Sequence, residues 1–192
     1  MNNDKNRVCS AEHAWALDLS LRKLVHNPRK ILSPYVRPGM TVLDFGPGPG
    51  FFTLEMARMV GKTGKVIGAD LQAEMLEKLR AKIRNTDLEK IITLHKTGKD
   101  EIDLNEKVDF ALVFYVLHEI PNQENFLREL KTLLKPDAKI LIVEPKAHVT
   151  EKEFEQALKL MKITGLKIIA RPKIFFSRAI VVELKNQTFS AE

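Results

Sequence analysis

The pattern of apolar and polar residues along the chain predicts a regular succession of strands and helices. Short continuous apolar runs between turn residues predict buried strands, whereas apolar residues three and four apart predict amphipathic helices. From residue 41 onward the two patterns alternate. The predicted strands lie in TVLDF (41–45), KVIGAD (65–70), IITLHK (91–96), VDFALVFYVL (108–117), KPDAKILIVEP (135–145, after an initial turn), LKIIARPKI (166–174) and RAIVVELK (178–185).

Amphipathic helices are predicted between most of these strands, at 51–60, 73–83, 123–134 and 151–164. The helix at 73–83 shows the pattern well, because Met75, Leu76, Leu79 and Ile83 share one face. Two more helices are predicted before the first strand, at 11–27 and 29–36. The polar segment 99–105 is expected to be mostly loop.

Strands followed by helices predict an α/β fold with a mainly parallel sheet and helices on both faces. The last two strands have no helix between them and must form a hairpin, so one edge strand is expected to be antiparallel. Residues 29–192 form one domain in this interpretation, preceded by a helical segment at 1–28. With Trp15, Leu17, Leu21 and Leu24 on one face, that segment is either a lid over the ligand site or a helix packed on the core.

Composition and charge exclude several classes of protein. No apolar run approaches the length of a membrane span, and the polar N-terminus lacks the apolar core of a secretion signal. The single cysteine, Cys9, forms no internal disulfide and cannot alone build a thiolate metal site, so no metal is predicted and a reducing cytoplasm is expected. The net charge of +6 allows an anionic partner, but the basic residues are spread over helices and turns, which favours a solvated surface over a nucleic-acid interface.

The segment DFGPGPG (44–50) is the strongest chemical signal in the sequence, with glycine at every second position. It follows the first strand, at the edge of the sheet where ligands bind in open α/β folds. Glycine permits positive φ and lets a ligand contact the main chain, and the N–H groups that begin the next helix form a cradle for anionic groups. A plain strand-to-helix turn would need only one or two glycines.

The spacing of these glycines disfavours a dinucleotide. The dinucleotide motif is G-x-G-x-x-G, and Phe51 stands where its third glycine would be. The G-x-G-x-G register with Asp44 just before it fits a ligand that has a cationic group and no pyrophosphate. Asp70 ends the second strand, where an acid can accept both hydroxyls of a ribose; its other interpretation is a cap for the helix that begins near Gln72.

Two long segments, VLDFGPGPGFFTLEMARMVGKTGKVIGADLQAEML (42–76) and VDFALVFYVLHEIPNQENFLRELKTLLKPDAKILIVEP (108–145), carry a family resemblance. The chain resembles class I S-adenosylmethionine-dependent methyltransferases of the small single-domain type, similar to the ubiquinone/menaquinone methyltransferase branch. The resemblance covers roughly residues 29–185. It implies a Rossmann-like three-layer αβα sandwich whose seven-stranded sheet has an antiparallel last strand, and S-adenosylmethionine as cofactor.

The resemblance also implies roles for individual residues. The three glycines would line the methionine part of the cofactor, Asp44 would orient its ammonium group and Asp70 would hold its ribose. After the third strand the family usually has an acidic residue near the adenine amine, whereas this chain has Thr97, Gly98, Lys99 or Asp100 in that place. The full set implied to bind the cofactor is Asp44, Gly46, Gly48, Gly50, Phe51, Asp70, Leu71, Gly98, Lys99 and Phe114.

The methyl acceptor is less well indicated than the cofactor. A general base is needed only where the acceptor must lose a proton, and the candidate catalytic residues, His118 and Tyr115, follow the fourth strand. His118 is either a base or a loop histidine, and Tyr115 is interpreted mainly as a wall of the cofactor pocket. Little chain remains for a substrate domain, which favours a small-molecule acceptor. One alternative is an RNA or protein methyltransferase, but the chain has neither an N-P-P-Y-type motif after the fourth strand nor a cysteine near the site. The other alternative is a non-catalytic cofactor-binding module that regulates a partner.

Overall fold

The computed structural model describes residues 26–99 and 101–185. The predicted helix at 11–27 therefore falls almost entirely outside the described residues, and the lid hypothesis is not tested. Within them, no helix is long and apolar enough to cross a membrane. The helices are α1 (Pro28–Leu32), α2 (Thr53–Val60), α3 (Ala73–Ile83), α4 (Gln123–Thr132) and α5 (Glu151–Ile163), with short 3-10 turns at Asp87–Lys90 and Leu117–Glu119.

Seven strands form one sheet in the order β3-β2-β1-β4-β5-β7-β6. Five of them pair in parallel and β7 pairs antiparallel with both of its neighbours. The expected fold class, a Rossmann-like α/β sandwich with an antiparallel last strand, is confirmed. The strands are β1 (Thr41–Phe45), β2 (Lys65–Asp70), β3 (Ile92–Lys96), β4 (Val108–Phe114), β5 (Leu134–Pro145), β6 (Leu166–Ala170) and β7 (Ser177–Leu184).

The expectation of an antiparallel strand at the edge of the sheet is wrong. The antiparallel strand β7 lies between β5 and β6, and the edge belongs to β6. Burial follows this order, because four consecutive residues of β7, Ala179–Val182, are buried, whereas of the five residues of β6 only Leu166 is.

Alternate residues of the central strands face opposite layers of helices. Leu43 and Ile67 point to the side covered by α4 and α5, whereas their neighbours Val42 and Val66 point to the side covered by α1, α2 and α3. Helix α1 ends at Leu32, earlier than the predicted residue 36, because Pro34 has no main-chain N–H with which to continue the helical hydrogen bonds. The two packed faces leave the carboxyl edge of the sheet free, and β1 and β4 are neighbours there although β2 and β3 intervene in sequence. This is the switch point at which α/β sheets bind ligands.

Candidate active site

A cavity of about 590 Å³ opens at the carboxyl edge of the sheet, within the usual range of roughly 300–1,000 Å³ for small-molecule sites. Its walls come from the segments that follow β1, β2, β3, β4 and β5 and from the loop between β6 and β7. The predicted site residues all line it except Gly50. Asp100, the fourth candidate after β3, lies outside the described residues.

The glycine loop after β1 contains one glycine that faces open space and two that pack against the protein. A Cβ atom at Gly46 would lie 2.3 Å from Val116 Cγ2, and one at Gly50 would lie 2.4 Å from Leu79 Cδ1. A Cβ at Gly48 would meet no protein atom within 4 Å, although its φ of 51° is a conformation that favours glycine. Gly48 is therefore the position where a side chain would project into the cavity.

Side-chain contacts hold the glycine loop at both of its ends. Asp44, the buried residue just before the loop, accepts a 2.6 Å hydrogen bond from the hydroxyl of Thr53, the first residue of α2. The ammonium group of Lys82 donates a 2.6 Å hydrogen bond to the carbonyl of Pro49. The loop is thus fixed between β1 and α2 before any ligand binds, which lowers the entropy cost of ordering it on binding.

Asp70 lies opposite the glycine loop and accepts main-chain N–H groups from two segments. Its carboxylate accepts the N–H of Gln72, the residue that caps α3, at 2.8 Å, and also the N–H groups of Leu71 and Gly48. Burial raises the pKa of Asp70 above its ordinary value, and these donors together with the charge of Lys96 offset only part of the rise. Asp70 thus braces the segment that leads into α3, holds the glycine loop and still lines the cavity.

The wall next to Asp70 suits a flat apolar group. Leu71 is 38% exposed although it is a large hydrophobic residue, and it lines the cavity beside Gly98 and Lys99. The N–H of Thr97 donates to the main-chain carbonyl of Asp70 at 3.1 Å, which ties the segment after β3 to the end of β2.

Aromatic rings form the wall beyond the glycine loop. Phe114 is buried, with its ring centroid 4.4 Å from those of Phe52 and Tyr115, and Phe51 packs edge-on to Phe52 at 5.0 Å. All four rings line the cavity. Since Phe114 and Phe52 are almost wholly buried, they shape the wall through packing.

The hydroxyl of Tyr115 is engaged with β7. It lies 2.6 Å from Ser177 Oγ, and the Ser177 hydroxyl itself donates to the carbonyl of Phe175 at 2.8 Å. Since serine has one hydrogen to give, Tyr115 is the donor in the first of these bonds. The tyrosine also has a φ of 64°, which ends β4 and turns its ring into the cavity wall. Its proton is thus committed to the protein.

His118 is held by a buried carboxylate. Its Nδ1 lies 2.7 Å from Oε2 of Glu144, which is 2% exposed and comes from the end of β5. A proton on Nδ1 satisfies this bond, so that Nε2 is the nitrogen that carries the lone pair. The other carboxylate oxygen, Oε1, is buried and has no hydrogen-bond partner in the part of the chain that the structure describes.

A second carboxyl group lies beside this pair. Burial raises the pKa of Glu119, which lines the cavity; the nearby His118 lowers it, and Glu144 and Asp70 raise it further. The ring of His148 lies 6.1 Å from that of His118 and is also at the cavity wall. Among the described residues, no group of three or more His, Cys, Asp or Glu side chains is arranged to hold a metal ion.

Comparisons with known proteins agree with this geometry. A family model described as "Methyltransferase domain" matches residues 37–181. The chain belongs to this methyltransferase-domain family. It is also similar to the ubiquinone/menaquinone biosynthesis C-methyltransferase UbiE of Escherichia fergusonii, with 33% identity over 110 residues, which are 57% of this chain and 44% of that protein. The chain thus spans less than half the length of the curated relatives it matches.

Solved structures extend the similarity over nearly the whole methyltransferase domain. A SAM-dependent methyltransferase from Aquifex aeolicus matches with a TM-score of 0.81 and 27% identity over 91% of this chain and 98% of that chain. Fibrillarin from Aeropyrum pernix, solved with S-adenosyl-L-methionine bound, has a TM-score of 0.64 at 17% identity over 77% of this chain and 68% of that chain, and shows the fold alone. The expected class, an S-adenosylmethionine-dependent class I methyltransferase, is confirmed, and S-adenosylmethionine is its cofactor.

The residues of the methyltransferase domain fit this cofactor. Open space at Gly48 leaves room for a group against the main chain, and Asp44 and Asp70 offer carboxylates for an ammonium group and a ribose. Leu71 offers an exposed apolar surface for a flat ring.

Several residues of the site were not identified from the sequence. Glu144 was read only as the end of a strand, although an acidic residue inside the apolar run ILIVEP was a signal that it needs a buried partner. Thr53 and Ser177 act through side-chain hydrogen bonds that no local sequence pattern predicts. Phe175 and Phe176, which line the mouth, lie in a connection that was treated only as a link between strands.

Proposed function

We propose that this domain transfers a methyl group from S-adenosylmethionine to a small, largely apolar acceptor that must lose a proton in the reaction. The observation that carries the proposal is the contact between His118 and the buried Glu144, in the same cavity as the glycine loop. A histidine with one nitrogen fixed on a carboxylate is the arrangement of an oriented general base.

The cofactor's binding is assigned to the glycine-loop end of the cavity. Gly48 borders the methionine part, Asp44 faces its ammonium group, Asp70 accepts the ribose hydroxyls, and Leu71 with Gly98 and Lys99 borders the adenine. Phe51 and Phe114 close the wall behind it. The cofactor supplies an electrophilic methyl group, and the task of the protein is to align the acceptor and to exclude water.

The other end of the cavity is assigned to the acceptor. Tyr115, Phe175 and Phe176 give it aromatic walls, which favours an apolar or aromatic molecule. The curated relatives include enzymes named for ubiquinone and menaquinone biosynthesis, and this supports an aromatic, quinone-like acceptor. Asp70 and Glu119 add negative charge to the cavity, which disfavours a phosphate-rich acceptor such as RNA.

The proton of the acceptor is removed by His118 in this mechanism. Glu144 keeps the Nδ1–H of the ring in place, so Nε2 is the basic nitrogen and faces the acceptor. When Nε2 takes the proton, the imidazolium is stabilised by the buried carboxylate beside it. Tyr115 positions the acceptor through its ring, since its hydroxyl proton is committed to Ser177.

The proposal is tested with labelled S-adenosylmethionine and a panel of hydroxylated aromatic acceptors, with wild-type protein and His118→Asn side by side. Label should pass to at least one such acceptor, and the variant should transfer it about 10²-fold more slowly. Calorimetry with S-adenosylmethionine and NAD provides a control, because only the first should bind. Tight cofactor binding without transfer to any acceptor class would favour the regulatory-module alternative. A cytoplasmic location stays a prediction from the lone cysteine.

A further inference from the structure

The mouth of the cavity carries two exposed phenylalanines. Phe175 and Phe176 lie in the loop between β6 and β7 and are 67% and 62% exposed, with their ring centroids 6.3 Å apart. Both line the cavity. Two adjacent aromatic rings in water at the entrance to an apolar cavity are unfavourable unless something covers them.

Cations surround this pair in sequence and in space. The segment RPKIFFSR (171–178) has three basic residues and no acidic residue. Lys146, which is exposed, adds a fourth cation, since its main-chain N–H donates to the carbonyl of Phe176 at 3.1 Å. Glu155, 4.0 Å from Arg171, offsets part of this charge.

We propose that this rim, formed by Phe175, Phe176, Arg171, Lys173 and Lys146, docks the cavity mouth on the surface of an anionic lipid bilayer. Aromatic side chains partition into the headgroup region while Lys and Arg attract anionic headgroups, and the two effects add. An apolar acceptor could then enter the cavity from the bilayer without crossing water. This inference goes beyond methyl transfer itself.

The small area of the rim favours a lipid surface over a protein partner. Two phenylalanine side chains and a few cations cover far less than the roughly 1,000 Å² that a stable protein interface needs, whereas interfacial anchoring requires only a small apolar wedge and positive charge. The competing occupant is the segment before His26, because the imidazole Nε2 of His26 lies 3.2 Å from the carbonyl of Phe175. The experiment below distinguishes the two.

The test is flotation of the 192-residue chain with vesicles of equal parts phosphatidylglycerol and phosphatidylcholine, and with vesicles of phosphatidylcholine alone. The wild type should bind the anionic vesicles and not the neutral ones. Phe175→Ser/Phe176→Ser and, separately, Lys173→Glu should each lower the partition coefficient about tenfold or more. Ile163→Ser and Lys62→Glu are the matched controls, since Ile163 is 66% exposed and both residues lie at the opposite, amino-terminal edge of the sheet. Both controls should bind as the wild type does.

Three results would overturn the inference: no binding of the wild type to anionic vesicles, equal binding of the rim variants, or an equal loss in the control variants. If the phenylalanine variant has a melting temperature several degrees below that of the wild type, and the wild type does not bind vesicles, the rings are covered by another part of the chain. Vesicle binding needs no acceptor and no turnover, so its failure would leave the methyl-transfer proposal standing.

Discussion

The end of the cavity assigned to the cofactor is built mainly around the main chain of the glycine loop, whereas the end assigned to the acceptor is built from side chains that meet across the fold. Asp70 contacts a residue two positions away and Asp44 one nine positions away. His118 contacts Glu144, which is 26 positions away in sequence, and Tyr115 contacts Ser177, which is 62 positions away. The first end also has distant contacts, since Asp70 accepts the N–H of Gly48 and Lys82 donates to the carbonyl of Pro49, but both of these end on the main chain of the glycine loop. The second end depends on side chains brought together by the pairing of β4, β5 and β7.

This difference in construction suits the two ends to different ligands, one that is constant and one that can vary. Main-chain groups and helix termini bind the parts of a ligand that never vary, and their geometry survives most side-chain changes. A site assembled from side chains on separate strands can accept a new ligand when one residue changes. We therefore expect substitutions at the cofactor end to affect binding, and substitutions at the acceptor end to affect the rate with cofactor affinity preserved.

The largest effect is expected for Gly48→Val. The branched side chain would occupy open cavity space beside the main chain and should abolish binding of S-adenosylmethionine in calorimetry. Positive φ at this residue adds a stability loss of roughly 1–2 kcal/mol. Gly61→Val is the matched control, because Gly61 also has positive φ and an open Cβ position but does not line the cavity.

The Gly61 variant should lose stability and keep its cofactor affinity. If both variants bind the cofactor normally, Gly48 serves only the turn, and the assignment of this end of the cavity is wrong.

The next largest effect is expected for His118→Asn, which removes the base but keeps a polar side chain. Transfer should slow by about 10²-fold with cofactor affinity nearly unchanged, and the wild-type increase in rate with pH, which comes from loss of the proton on the base, should disappear. His148→Asn is the control, since that ring is only 6.1 Å away and is exposed. A parallel loss of stability and cofactor affinity, with the pH profile retained, would show that His118 only braces its loop.

The same contrast explains what the sequence could predict. The glycine loop, Asp70 at the end of β2 and the order of helices and strands follow from patterns within one or two turns of chain. Most elements begin and end within two residues of the predicted bounds, whereas β4, β6 and α1 end three or four residues earlier than predicted. The interior place of β7 and the partner of His118 depend on contacts between segments far apart, which periodicity does not encode. Glu144 is the clearest case, because its role exists only once β4 and β5 pair.

A smaller effect is expected for Glu144→Gln, which keeps an acceptor for the Nδ1–H of His118 and removes the negative charge. Transfer should slow by about tenfold, and the midpoint of the pH–rate profile should move to lower pH, because the imidazolium loses its stabilising charge. Glu183→Gln on β7 makes the same change in net charge at a partly exposed site away from the cavity and should leave the profile unmoved. If the midpoint of the pH–rate profile does not move in Glu144→Gln, the charge of Glu144 does not act on His118 and Glu144 serves only packing.

The cofactor end should show its own pH dependence through Asp70. Since burial raises the pKa of this carboxyl, cofactor affinity should fall on acidification at a higher pH than an ordinary aspartate would give. Stability changes in the opposite direction, because the native state holds this proton more tightly than the unfolded chain. The contribution of Asp70 to the free energy of unfolding is therefore fully present below the ordinary aspartate pKa and is lost as pH rises through the raised value.

The smallest effect is expected at Asp70, where two substitutions separate ribose binding from the hydrogen bond to Gln72. Asp70→Asn retains an oxygen that can accept the Gln72 N–H, whereas Asp70→Ala loses this hydrogen bond as well. If the carboxylate binds the ribose, Asn should weaken cofactor binding about tenfold, equal to about 1.4 kcal/mol, with little change in melting temperature, and Ala should lower both. Calorimetry and thermal melts of the two variants give this comparison. Wild-type affinity in the Asn variant would mean that Asp70 serves the helix alone, and that the charge at this end of the cavity comes from Asp44.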